Sequence, residues 1–271
     1  MDRRMDEVFG TEPQQALLRR GRAFHDLTRH DTRYTYYGRT VGLASAQDGD
    51  IDELHDLTVL QGNSHYATVS DDTLPALRDN AVARGLSVAQ YARWTGGAEA
   101  LDAARAILDR HRLPKGLTPV TITPDSPPET VLKLAQVALA CGVLPPSGAV
   151  LRGLIKPAVA IVALDERGQP AACAAAAGFL HPDHPDGATT CWWGMLATRP
   201  ERRGQRLALI LGAMAMLDMT ARHGFTQVFT GVEPGNTPSE AICTRMGLAR
   251  DGTSVFGVAD ARQLPGGRMT R

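Results

Sequence analysis

The sequence predicts a mixed α/β fold, with a central sheet flanked by helices and a smaller α/β module ahead of it. Three observations carry that expectation. Between residues 119 and 260, short apolar runs alternate with longer helical stretches. Proline and glycine punctuate the changes between them. Of the 271 residues, 43% are hydrophobic, enough to bury a sizeable core. Inspection shows no internal repeat and no low-complexity tract.

A seam is expected at "RHRLPKGLTP", residues 110 to 119, where Pro114, Gly116 and Pro119 interrupt the pattern. It separates a module of unknown role (1–115) from a larger domain (116–271). In the first part, residues 11 to 29 predict a helix and "AQDGDID" (46–52) a loop. "LTVLQGNSHYATVS" (57–70) reads as two short strands around a turn at Gly62-Asn63-Ser64. Residues 72 to 85 predict a helix stopped by Gly85, residues 86 to 94 a strand, and residues 97 to 111 an amphipathic helix. In the second part "PVTITP" (119–124) reads as a strand. A helix follows over 127–142, begun by two prolines and ended by Gly142, then a shorter one over 147–155. Residues 158 to 180 form a hairpin turning at Glu166-Arg167-Gly168-Gln169, and "TTCWWGMLAT" (189–198) is a further strand. A long helix runs to about Arg222, stopped by Gly224. Strand 226–232, helix 237–247 and strand 254–260 complete the order β-α-α-β-β-β-α-β-α-β.

Composition excludes several function classes. Lys plus Arg and Asp plus Glu balance at 29 each, which argues against a nucleic-acid binder relying on excess positive charge. The four cysteines, Cys141, Cys173, Cys191 and Cys243, show no metal-ligand spacing and fit the reduced thiols of a cytoplasmic protein. The N-terminal residues lack the apolar core of a secretory signal. The longest apolar stretches fall short of the ~18–20 residues of a membrane span. "HPDHPDG" (181–187) holds two histidines and two aspartates, but turn chemistry explains it more simply than a metal site, and no metal is expected.

The chemistry concentrates in two stretches. "RPERRGQRLALILGAMAM" (199–216) lies between a strand and a helix. A helix start leaves backbone N–H groups without partners and carries partial positive charge. Gly204 allows a close backbone approach, and Arg202, Arg203 and Arg206 offer charge-assisted hydrogen bonds to phosphate. The parts of a pyrophosphate cradle are present, without a Walker loop or a dinucleotide fingerprint. "EPGNTPSEAICTRMGL" (233–248) follows the next strand and forms a helix ending at Met246-Gly247-Leu248.

Together these stretches resemble the signatures of the GNAT superfamily, the acyl-CoA-dependent N-acyltransferases. Arg203, Gly204 and Ala208 match the first signature, with Arg206 where the family usually has glycine. Asn236, Ala241 and Gly247-Leu248 match the second. The resemblance covers residues 119 to 260 and implies a GNAT-like fold. Residues 1–115 are then either a degenerate copy of half such a fold or an unrelated module.

The resemblance implies acetyl-CoA, or another acyl-CoA, as cosubstrate. Its pyrophosphate would meet the backbone N–H groups of Arg203, Gly204, Gln205, Arg206, Leu207 and Ala208. The pantetheine arm would pair with the backbone of Leu196 and Thr198, and Asn236 would reach the pantetheine or acyl region. Cys243 stands where the family often places a tyrosine that protonates the leaving thiolate; its apolar neighbour Ile242 also suits a plain buried cysteine. The strand glutamate often used as base is missing from "TTCWWGMLAT", so Glu233 is the expected base, with His181 or His184 as secondary candidates. Of Trp192 and Trp193, strand alternation sends one to the core and the other toward the acceptor pocket or the first part of the chain. The implied reaction is direct transfer of an acyl group, most often acetyl, to a primary amine of a small molecule. A non-catalytic acyl-CoA-binding or sensing module is the alternative. The residues leave open the acceptor, whether amino acid, polyamine, aminoglycoside-like compound or protein N-terminus, and the oligomeric state. No nucleic acid or membrane is expected as partner.

Overall fold

The computed structural model describes residues 7–47 and 49–264. The first part contains α1 (Glu12–Thr28), β1 (Tyr34–Thr35), β2 (Gly42–Leu43), α2 (Ile51–Gln61), β3 (Asn63–Ser70), α3 (Leu74–Ala83), β4 (Ser87–Gly96) and α4 (Ala98–Arg110). After the seam come β5 (Leu117–Thr121), α5 (Pro128–Ala140), α6 (Gly148–Leu151), β6 (Ala158–Asp165), β7 (Pro170–Gly178), β8 (Thr190–Thr198), α7 (Leu207–His223), β9 (Gln227–Val232), α8 (Thr237–Arg245) and β10 (Ala249–Ala259). The element order after the seam is the one the sequence predicts.

The ten strands of the described residues join one sheet, in the order β1-β2-β3-β10-β4-β9-β8-β7-β6-β5. The sheet runs across the seam. β4, from ahead of it, lies between β9 and β10, antiparallel to both. β10 in turn lies between β4 and β3. The connectivity repeats: β1-β2-α2-β3-α3-β4 runs like β7-β8-α7-β9-α8-β10. In each unit the first two strands are antiparallel and the next pair is parallel across a helical crossover. The last strand of each unit inserts beside the third strand of the other.

One face of the sheet packs α7 and α4, the other α5, α6 and the segment around Tyr36 to Val41. β7 is alanine-rich and buried along its whole length, so flanking elements approach it closely on both faces. Its hairpin with β6 turns as expected: the Asp165 carboxylate accepts from the N–H groups of Arg167 and Gln169. α7 lies close over β8 because Gly212 has no side chain, and a Cβ there would come within 2.8 Å of the Trp193 ring.

The expectation of two strands over 57–70 fails in its first half, where 51–61 is helix α2. Leu54, Leu57, Thr58 and Gln61 are buried at the i, i+3, i+4, i+7 spacing of one helix face. Asp50 caps the start by accepting from the N–H groups of Asp52 and Glu53, and Gly62, at φ 96°, ends it. The two-residue strands β1 and β2 give no periodic signal, and the sequence reading lacks them. No helix among the described residues is long and apolar enough to cross a membrane.

Candidate functional site

The parallel strands β8 and β9 pair only at their beginnings, through Thr190–Gln227, Cys191–Val228 and Trp192–Phe229. Beyond Trp192 they part. On its other side β8 breaks register with β7 between the Ala175–Gly194 and Cys173–Ala197 pairs, and Met195 takes φ 53°. This bulge bends the strand where the parting begins. A cavity of about 860 Å³ opens there, lined by residues of β8, β9, α7 and α8 and by residues of the first part of the chain. Leu196 and Thr198 both line it, half-buried.

The loop after β8 forms the cavity's mouth. Pro200–Arg202 make a short 3-10 turn, and the Arg203 N–H donates to Pro200 O at 3.2 Å. Gly204 stands at φ 78° with open space where a Cβ would be. Arg206, at φ 59° and ψ 19°, is in the left-handed region that glycine usually fills. No side chain caps α7; its first helical bond runs from Ile210 N to Arg206 O. The N–H groups of its first turn therefore have no acceptor within the helix. Arg203, Gly204, Arg206, Leu207 and Ala208 line the cavity, with Gln205 half-buried among them in the loop. Arg203 and Arg206 are exposed, while Arg202 leans 3.5 Å from Asp165.

On the far side, Glu233 follows β9 directly, half-buried at the cavity wall. Asn236 caps α8: its Oδ1 accepts from Ser239 N at 3.3 Å, leaving Nδ2 as a donor. Cys243 is 2% exposed, and burial pushes its thiol up to about 12. It too lines the cavity.

The tryptophans divide as strand alternation requires. Trp193 is wholly buried under α7, its Nε1 donating to Gly212 O at 2.9 Å. Trp192 lines the cavity and meets Tyr37 of the first part, with ring centroids 4.8 Å apart. His181 and His184 are spent on their own loop. Each Nδ1 accepts from the backbone N–H two residues on, and His181 Nε2 lies 2.9 Å from Arg29 O.

Sequence reasoning missed the wall built by the first part. Tyr37, Arg39, Asn63 and His65 are nearly buried and line the cavity, with Tyr91 beside them. Arg39 Nη1 donates to the Tyr37 hydroxyl at 2.9 Å, and its guanidinium stands over the Tyr37 and Trp192 rings. His65 Nε2 is 3.0 Å from Thr35 Oγ1. Burial, with the nearby Arg39 charge, lowers the His65 pKa to about 4. The only local hint was "YTYYGRT", an aromatic and basic cluster in an otherwise unpatterned segment.

No protein-family model matches the sequence, and neither does any curated protein. Solved structures do. The chain is similar to a GCN5-related N-acetyltransferase from Kribbella flavida, at 16% identity and TM-score 0.51, over 76% of this chain and 71% of that one. It is similar to a tandem GNAT protein from the clavulanic acid biosynthesis pathway, at 17% identity and TM-score 0.50, over 78% and 68%. A GCN5-related N-acetyltransferase-like protein from Streptococcus suis matches at 15% identity and TM-score 0.51, over 84% and 82%. These matches extend well beyond residues 119 to 260. At such identities the likeness is one of architecture, and the parted parallel strands, the bulge and the uncapped helix agree with it. The chain has the GNAT fold.

Proposed function

We propose that the chain is an acyl-CoA-dependent N-acyltransferase acting on a primary amine of a small molecule, with acetyl-CoA as the cosubstrate that the superfamily resemblance implies. The observation that carries this is the uncapped start of α7, ringed by arginines, at the mouth of a cavity opened by the parting of β8 and β9. The repeated connectivity provides an internal comparison. The equivalent helix, α2, has its first turn capped by Asp50 and carries Asp52 and Glu53. The Asp50 carboxylate already occupies the N–H groups at that start, whereas α7 offers N–H groups without a helical acceptor and positive charge.

In this reading the pyrophosphate meets the N–H groups from Gly204 to Ala208, with Arg203, whose N–H is taken by Pro200 O, offering its guanidinium, and the pantetheine arm lies along Leu196 and Thr198. Asn236 Nδ2 donates to the arm. The amine nitrogen attacks the thioester carbonyl carbon, the C–S bond breaks, and the thiolate departs as the amine proton passes to the Glu233 carboxylate. Leu196 lies where β8 breaks register with β7, and we assign its N–H to the carbonyl oxygen as negative charge develops there. We assign Cys243 to the tunnel wall. A thiol held at about 12 gives its proton only uphill to a thiolate of ordinary pKa, about 8.5. We read residues 1–115 as a degenerate GNAT half that supplies the acceptor wall.

A thiol-release assay with acetyl-CoA over an amine panel tests the reading. Amine-dependent release is expected, with Glu233→Gln lowering kcat/KM by about 100-fold or more while acetyl-CoA affinity is unchanged. Tight acetyl-CoA binding without release under any amine would instead make the chain a binding or sensing module.

A further inference from the structure

Among the described residues two arginines are nearly fully buried, and they differ in what they meet. Arg152 is 2% exposed, and its Nε–Nη2 edge clasps the Glu7 carboxylate at 2.7 and 2.8 Å. Its Nη1 donates to Ser126 O at 2.6 Å. Arg39 is 7% exposed, and its Nη1 donates to the uncharged Tyr37 hydroxyl. Its Nε is buried without a partner, and no carboxylate of the described residues lies within ion-pair distance. A guanidinium taken out of water and left unpaired is costly. The Tyr37 and Trp192 rings, 5.2 and 5.8 Å from Cζ, offset part of that cost but give the Nε hydrogen no acceptor. Unlike Arg152, Arg39 lines the cavity, and it stands over the ring of the last β8 residue paired with β9.

We propose that the guanidinium of Arg39 is a carboxylate-binding site within the cavity, so that one of the two substrates carries a carboxylate. A guanidinium pairs with a carboxylate through charge-assisted hydrogen bonds, as Arg152 and Glu7 already show in this chain. Two sources supply such a group: an amine acceptor that is an amino acid, or an acyl chain ending in a second carboxylate. The identity of the bound molecule as a substrate rests on the transferase reading; the site itself does not.

The test uses the full chain, with two matched comparisons read by calorimetry and by thiol release. One sets L-amino acids against the corresponding amino-acid amides in the presence of acetyl-CoA. The other sets succinyl-CoA against butyryl-CoA. One comparison is expected to favour the carboxylate member by about 100-fold, and which one does identifies the source. Arg39→Gln is expected to bring the pair within a few-fold, and Arg39→Lys, which keeps the charge without the fork, to recover only part of the preference. Because Arg39→Gln removes an unpaired buried charge, its thermal midpoint without ligand is expected at or above that of the parent, which shows it is folded. Selective binding of the carboxylate member without thiol release would support the site while removing the transferase reading. Equal treatment of both members in both comparisons would overturn the proposal, as would a preference that survives in Arg39→Gln.

Discussion

Arg206 holds its backbone in the left-handed region, where a side chain costs about 1 kcal/mol relative to glycine. Its side chain is exposed, so little packing offsets that cost. Arg206→Gly is therefore expected to stabilise the protein by about 1 kcal/mol, read as a thermal midpoint raised by ~2–4 °C. Acetyl-CoA affinity should change by no more than a few-fold; a large loss would make the arginine itself a phosphate ligand. His65 gives a pH dependence of known sign. Its folded pKa of about 4 lies below its ordinary value of about 6.5, so between the two the unfolded chain binds a proton that the folded chain refuses. Stability is full above about pH 6.5 and falls by about 3 kcal/mol as the pH drops to about 4. His25, lowered to about 4 by burial and the Lys156 charge, adds in the same sense. Urea midpoints at about pH 7 and about pH 5 should converge partly in His65→Gln, and an unchanged difference would remove His65 from the account. The turn at Gly204 and the start of α8 after Asn236 fall where the sequence places them, because turn and helix-start chemistry is local. Arg39 and His65 were not legible in the sequence: their role comes from burial against residues more than a hundred positions away.

Elements bounded by prolines, glycines and caps were read nearly to their ends, as with α5 behind its two prolines and α7 before Gly224. α2 was misread because "LTVLQ" favours a strand locally, while its helical face shows only once Leu54 and Leu57 have something to bury against. The placing of β4 was illegible for a deeper reason. Periodicity marks a strand and its buried face but does not name its neighbour, and β4 pairs with two strands that lie over a hundred residues later. β10 takes both its partners, β3 and β4, from ahead of the seam. A fragment of residues 116–271 would expose both edges of β10 and one of β9, which invites edge-to-edge association. Expressed alone it should aggregate or lack a cooperative unfolding transition, and co-expression with residues 1–115 should restore a soluble complex. A folded, monomeric fragment by size-exclusion chromatography and circular dichroism would show that the exchange of strands is dispensable.

At the scale of the whole molecule, two units of like connectivity meet at β4 and β10, yet of their crossover helices α2 and α7 only α7 starts without a side-chain cap. The repeat escapes inspection of the sequence because equivalent positions have opposite chemistry: Asp50, Asp52 and Glu53 at one helix start, Arg203 and Arg206 at the other. The other unit turns its residues to the cavity wall, through Tyr37, Arg39 and His65. The division of labour makes stoichiometry the sharpest test. Calorimetric titration of the full chain with acetyl-CoA should give one site per chain. It should be abolished by Ala208→Asp, which places a carboxylate in the first turn of α7 without harming the helix. It should be unchanged in Asp50→Asn, which keeps the cap on α2. No binding by the parent chain, or binding that Ala208→Asp leaves intact, would contradict the assignment of α7 as the pyrophosphate cradle.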